Sequence, residues 1–277
     1  MTDYSILINT CDKFEDCWQP FFLLFKKYWP DCNGKLFLNT EYKDFSYAGL
    51  DITTIKGCAA NGFPKSERAT WSQCFKWALE ALPTDIVLYM QEDYFLKSAV
   101  SNQLVEQYVA LMQQHKDIRC IHLTDQAVQT EADSGYENLK TVQIVQRDRV
   151  SCQAALWQKD ELLSLIKEQE SAWEFEEFGS KRSSAMARKY LAVSRDFVKL
   201  DIYEIIPYIF TGIVQGRWYR PVVKLFNDNG IEMDYSRRGF SDEVSNHRPL
   251  SKRIYNRIKR MPKAISCWWE CRKLSKN

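Results

Sequence analysis

The sequence predicts an α/β fold, a largely parallel central β-sheet with helices covering both faces. Three observations carry that prediction. Short apolar runs recur through the first 125 residues and alternate with stretches of helical periodicity. Several of these runs end in polar or acidic side chains. The chain of 277 residues, 45% hydrophobic and 27% charged, is also long enough to close one large core.

The elements follow in order. "YSILIN", Tyr4 to Asn9, reads as a buried strand that runs into Thr10, Cys11 and Asp12. "CWQPFFLLFKKYWP" sets Trp18, Phe21, Phe22 and Phe25 on one helical face, with a start expected near Pro20, since proline suits a first turn. "KLFLNTE" is a second strand closing on Asn39, Thr40 and Glu41, and "DITTIKG" a short third. "SERATWSQCFKWALEAL" places Ala69, Phe75, Ala78, Leu79 and Leu82 at helical spacing, with Ser66 as the expected cap. "DIVLYM" is the fourth strand, followed by a helix near "QLVEQYVALMQQH" and a strand, "RCIHLTD". Beyond Asp125, "KTVQIVQRDRVSCQAALWQ" reads as two strands around a turn, and a helix runs from Lys159 to about Glu170. "LDIYEIIPYIF" and "GIVQGRWYR" read as extended segments before a last helix, "PVVKLFNDNG", ending at Gly230. One domain, 1–247, is expected, followed by a tail, 248–277.

Charge separates the two. From Arg248 to Asn277 ten Lys or Arg face one acid, Glu270, so the tail carries +9 and the remaining 247 residues carry −7. Among the tail's charges, Ile254, Ile258 and Met261 stand at helical spacing, and Trp268–Trp269 follow Pro262. Basic amphipathic segments with paired indoles suit an anionic membrane surface; a basic helix packed on the acidic body is the simpler alternative. No nucleic-acid motif accompanies the charge. Nine dispersed cysteines without a CxxC pair, and a start that lacks a basic, apolar leader, point to free thiols in a reducing cytoplasm.

The most informative stretch is "LYMQEDYFL". Ligands of open α/β sheets bind beyond the carboxyl ends of the strands. Asp12, Glu41 and the pair Glu92–Asp93 all fall at such ends. Carboxylates at close quarters need a proton or a cation, and oxygen donors with open positions suit Mg²⁺ or Mn²⁺ bridging a diphosphate. An acidic pair that simply ends a strand is the structural alternative. In "FPKSERATWS", Lys65 and Arg68 at a helix start could hold phosphates, or be solvated charges. In "SAWEFEEFGSKRSS", a helix would bring Trp173, Glu176 and Glu177 to one face. A ring beside a carboxylate suits a sugar, although the same aromatics also suit a core. "TGIVQGRWYRPVV" reads as a loop in which Arg217 could compensate a diphosphate, or as a turn before the helix at Pro221.

These motifs resemble the glycosyltransferases of the GT-A fold, most nearly the family-2-like enzymes of bacterial capsule and lipopolysaccharide synthesis. "LINTCDKF" is similar to the family's nucleotide-binding first strand and loop, and "LYMQEDYFL" to its acidic metal motif. Gln91 stands where the family pattern has its first acidic residue, so only Asp93 matches the last. The resemblance covers roughly residues 4–234 through a few short motifs. It implies Mn²⁺ or Mg²⁺ at Asp93 and a nucleotide-diphosphate sugar bound by Thr10, Asp12, Glu41, Lys65, Arg68, Glu92, Asp93 and Arg217. It further implies a general base, Glu176 ahead of Glu174, with Trp173 on the acceptor side. The expected activity is transfer to a glycan or lipid-linked acceptor by a cytoplasmic enzyme peripheral to the membrane. His247 lies near where related enzymes add a metal ligand. A sugar-phosphate nucleotidyltransferase would need a glycine-rich basic loop after the first strand, which "NTCDKFEDCW" lacks, and a non-catalytic adaptor on the same scaffold would not need Asp93 or Glu176.

Overall fold

The computed structural model describes residues 3–124, 128–243 and 250–275, and in 243 and 250–257 the backbone alone. His247 and the expected boundary between 247 and 248 lie outside the described residues. In chain order the elements are β1 (Ser5–Asn9), α1 (Glu15–Tyr28), β2 (Lys35–Asn39), β3 (Ile52–Thr54), α2 (Gly57–Ala60), α3 (Trp71–Ala81) and β4 (Ile86–Gln91). There follow α4 (Asn102–Gln114), β5 (Ile118–His122), β6 (Thr130–Asp133), β7 (Leu139–Val142), β8 (Ala155–Gln158), α5 (Lys159–Leu165), α6 (Ala172–Ala185) and β9 (Lys189–Val193). A short hairpin, β10 (Ile213–Val214) and β11 (Arg217–Trp218), precedes α7 (Val222–Asp228) and α8 (Leu250–Leu274).

The central sheet has nine strands in the order β3-β2-β1-β4-β8-β5-β9-β7-β6. From the pairings, only β7 and β8 run against the other seven, so the sheet is mostly parallel. Its central strands are buried on both faces because successive side chains enter two cores. Ile6, Ile8, Leu88 and Met90 pack with Phe21 and Phe25 of α1, Val105 and Val109 of α4 and Phe226 of α7. Leu7, Val87, Tyr89 and Trp157 pack on the other face with Phe75 and Leu79 of α3, Leu162 of α5 and Phe175 of α6. Each fully buried side chain of this size contributes about 1.5–3 kcal/mol.

Several boundaries differ from the expectation. α1 starts at Glu15, five residues before Pro20, because Glu15 and Asp16 in its first turn complement the helix dipole, leaving the proline inside the helix. α3 starts after Thr70, whose side chain forms a capping box with Gln73, so Ser66 is not the cap. The two strands read around a turn do not pair with each other: β7 lies between β9 and β6, and β8 is inserted antiparallel between β4 and β5. Neither β6 nor β9 was expected. β6 is an exposed polar edge strand with no apolar alternation, and β9 begins with a lysine directly after a helix.

α5 stops at Leu165 because the chain turns to carry Glu170 inward. There Glu170 accepts two hydrogen bonds from the buried Arg182 guanidinium of α6, at 2.8 and 2.7 Å, and Leu165 O accepts a third. Glu270 of α8 approaches the same guanidinium at 3.6 Å. Removing one member of such a pair strands a charge in the interior. Glu170→Ala is therefore expected to cost about 3–5 kcal/mol in urea unfolding. Glu170→Leu combined with Arg182→Met should recover most of that loss.

Candidate functional site

β1 is followed by β2 and β3 on one side, whereas β4 joins β1 on the other, so the order of the sheet reverses between β1 and β4. A crevice at the carboxyl ends of these two strands is where such sheets take ligands. The strand ends carry a polar ladder. Asn39 Nδ2 donates to Asn9 Oδ1 at 2.7 Å, and both Asn9 Nδ2 and Gln91 Nε2 donate to the Tyr89 hydroxyl at 3.2 Å. Beyond it the loops after β1 and β2 are locked together. Asp12 accepts from the amides of Glu41 and Tyr42 at 2.9 and 3.0 Å, and Glu41 Oε2 accepts from the Asp12 amide at 3.1 Å. Thr10 Oγ1 accepts from Trp18 Nε1 at 3.0 Å. In the described structure these three side chains thus fasten the loops beyond β1 and β2.

Glu92 and Asp93 follow β4 and are only 8% and 5% exposed. Asp93 Oδ2 accepts from Thr211 Oγ1 at 2.6 Å and from the Ile213 amide at 3.0 Å, and its carbonyl accepts from the Gly212 amide at 2.9 Å. The β10–β11 hairpin is thereby hung on Asp93. Gly212 is needed there because a Cβ would meet the Phe95 ring at 2.3 Å. Asp93 Oδ1 is buried without a partner. No side chain among the described residues hydrogen-bonds the Glu92 carboxyl. Arg238 is the cation that favours its charge, and that guanidinium is itself engaged by Asp16 at 2.6 Å. Burial raises the pKa of Glu92 well above the carboxylate range, helped by repulsion from Asp93, and burial also raises Asp93. One orphaned oxygen beside one under-compensated carboxyl fits a hard divalent cation held by Asp93 Oδ1 and Glu92.

The second acidic segment reaches the same end of β4 through the chain preceding β8. Glu176 Oε1 accepts from the Cys152 amide at 2.7 Å, and the Cys152 carbonyl accepts from the hydroxyl of Tyr94, the neighbour of Asp93, at 2.6 Å. Burial raises the Glu176 pKa. Glu174 is occupied differently: it forms a capping box with Ser171, and Lys263 of α8 donates to it at 2.8 Å. "SAWE" is a capping-box pattern, the signal that could have shown this in the sequence. Trp173 is 78% exposed, with its ring stacked on nothing among the described residues. Glu177 pairs with Lys181 and with Arg260 of α8.

Of the basic residues, Lys65 and Arg68 lie in the loop before α3 and not in its first turn. Lys65 sits over the Tyr42 ring at 5.2 Å, and the charge of Arg68 acts on Cys11 after β1. Arg217 on β11 donates to the Arg238 carbonyl at 3.1 Å, bringing two guanidinium groups to the hairpin. Sequence reasoning missed Thr211, Asp16, Arg238 and the Tyr94–Cys152 link, none of which carries a local signal. An open cavity of about 490 Å³ near β7, lined by Tyr136, Lys140 and Phe197 among others, includes none of the expected site residues.

Together these observations define an α/β protein with a mostly parallel sheet and two buried carboxyls next to the point where its strand order reverses. No family model matches the chain, and no curated protein matches it. Among solved structures it aligns with S. aureus TarS 1-349 at 9% identity, over 69% of this chain and 58% of that one, with a TM-score of 0.46. It also aligns with 2-C-methyl-D-erythritol 4-phosphate cytidylyltransferase from Thermus thermophilus (14% identity, 73% and 91% of the two chains, TM-score 0.41). A third alignment is with UDP-glucose pyrophosphorylase complexed with UDP-glucose (9%, 70% and 90%, TM-score 0.42). The chain thus spans little more than half the length of the TarS fragment.

Because its folded pKa is raised, Glu92 binds its proton more tightly in the folded than in the unfolded state. Without a cation, its contribution therefore falls as pH rises from the ordinary 4.5 through the folded value. Glu92→Gln is expected to be more stable than the parent by about 1–3 kcal/mol at pH 8 in EDTA. The gap should narrow toward pH 5. Urea titrations at both pH values check this, and a gap independent of pH would contradict the buried-acid assignment.

Proposed function

We propose that the chain is a glycosyltransferase that moves a sugar from a nucleotide-diphosphate donor to a glycan acceptor, lipid-linked in surface polysaccharide synthesis. The observation that carries this reading is the buried, unpartnered Oδ1 of Asp93 beside Glu92 at the switch-point crevice. Asp93 and Glu92 hold Mn²⁺ or Mg²⁺ in this reading. When bound, such a cation neutralises the charge that develops on the departing diphosphate. Thr10, Asp12 and Glu41 border the nucleotide, while Lys65, Arg68 and Arg217 supply positive charge near the phosphates.

Glu176 is the general base. It takes the proton of the acceptor hydroxyl as the hydroxyl oxygen bonds the anomeric carbon and the bond to the diphosphate breaks, which inverts the configuration. Its raised proton affinity and the Cys152 amide that orients it suit that task. Glu174 is less suited, because Lys263 and the helix cap hold its proton affinity below the ordinary carboxylate value despite partial burial. The exposed Trp173 offers the acceptor sugar a flat apolar face. β1 is followed by a 3-10 turn, Asp12–Phe14, without glycine, which argues against a nucleotidyltransferase loop.

The tail supports a peripheral seat on the cytoplasmic face of a membrane. Arg260 and Lys263 turn inward to Glu177 and Glu174, whereas Ile258, Met261, Ile265, Trp268 and Trp269 are exposed at helical spacing. No helix among the described residues is long and apolar enough to cross a membrane.

Calorimetry of UDP and GDP, with and without Mn²⁺, tests the donor site. Metal-dependent binding of one nucleotide is expected in the parent and its loss in Asp93→Asn; absence of binding by either nucleotide under all conditions would refute the proposal. For the tail, Trp268→Ser with Trp269→Ser should weaken flotation on vesicles rich in anionic lipid by about tenfold or more.

A further inference from the structure

Three side chains outside the acidic pair come together behind the end of β2. Cys58 of α2, Cys74 of α3 and Glu41 each offer a ligand atom, all within 4.8 Å of one another. Both thiols are buried, and their sulfurs stand 3.9 Å apart. We infer a second metal site, for a thiophilic divalent cation of the zinc class, held by Cys58 Sγ, Cys74 Sγ and a Glu41 carboxylate oxygen. In a tetrahedron with metal–sulfur bonds of about 2.3 Å the sulfur–sulfur edge is about 3.8 Å, so the observed spacing needs almost no adjustment. Two sulfur donors select against Mg²⁺ and Mn²⁺, which separates this site from the all-oxygen pair at Glu92 and Asp93.

The surroundings are built to hold these three groups. The Gly57 amide donates to the Thr40 carbonyl at 2.9 Å and the Ala59 amide to the Glu41 carbonyl at 3.2 Å, fastening α2 to the end of β2. Glu41 Oε2 accepts from the Asp12 amide, which orients the carboxylate as outer-shell partners do at metal centres. Asn39 supplies an independent indication. Its Nδ2 donates to the Cys74 carbonyl at 3.3 Å, while its Oδ1, in a residue 1% exposed, has no partner. That oxygen lies 3.8 Å from where a Cβ on Gly57 would stand, beside Cys58. Binding breaks two S–H bonds, forms two metal–sulfur bonds and releases two protons to solvent, with no change of oxidation state.

Cobalt titration of the full chain under anaerobic reducing conditions tests the site. One equivalent of Co²⁺ is expected to produce a near-ultraviolet thiolate-to-cobalt band that Zn²⁺ displaces. The band should vanish in Cys58→Ser and in Cys74→Ser. It should persist in the double variant Cys267→Ser with Cys271→Ser, whose sulfurs are also 3.9 Å apart but which belongs to no such three-residue group among the described residues. Glu41→Gln should keep the band and weaken binding about tenfold or more. If a serine variant fails to fold, zinc-edge X-ray absorption of the parent decides, with two sulfur neighbours at about 2.3 Å expected. Absence of the band, its survival in both serine variants, or oxidation of the pair to a disulfide in place of cobalt binding overturns the inference.

Discussion

Two adjacent carboxylic acids buried at the end of β4 are the constraint around which the crevice is arranged. Taking an acid out of water costs several kcal/mol unless a proton, a cation or hydrogen bonds compensate. The chain compensates Asp93 halfway, with Thr211 and the Ile213 amide on one oxygen and nothing on the other. It compensates Glu92 less, through Arg238, which Asp16 already engages. The hairpin of β10 and β11 and the segment near Arg238 meet at this spot because each brings an answer to the same electrostatic demand. An interior built for stability alone would have used apolar residues there. The incomplete compensation leaves one oxygen of Asp93 without a partner, the observation on which the proposed donor site rests.

The second organising element is α6. Its first turn presents Trp173 outward and turns Glu176 toward Cys152, while Glu174 and Glu177 receive α8. One helix therefore ties the chain preceding β8 and also receives the tail. Phe175, between them in sequence, packs tilted against Trp71 and edge-on against Phe75 and fixes the helix to α3.

The parts of the fold that follow from local periodicity were readable in the sequence: β1 to β5, the helices α1, α3 and α4, and the carboxyl ends that place Asp12, Glu41, Glu92 and Asp93 on one side, whereas the four-residue α2 was not. The parts that depend on distant partners were not. β8 enters the sheet antiparallel between β4 and β5, and no pattern in "AALWQ" specifies its neighbours. β6 is a strand only because β7 pairs with it. In the crevice, the acidic pair was visible as a breach of strand patterning, but Thr211 lies 118 residues from Asp93 and Arg238 lies 222 from Asp16. Glu174 shows the opposite failure. Its charge and aromatic neighbours suggested chemistry, whereas a capping box accounts for it locally.

The two-sided construction of α8 has a consequence for ionic strength. Its inward contacts to α6 include partly exposed ion pairs, Arg260 with Glu177 and Lys263 with Glu174, which mobile ions screen over about 8 Å at physiological salt. Its outward stripe is apolar and responds in the other sense, since excluded salts such as sulfate strengthen apolar contact. Rising salt thus weakens the ion pairs that hold the helix to its own domain, whereas an excluded salt such as sulfate also favours burial of the outward apolar stripe.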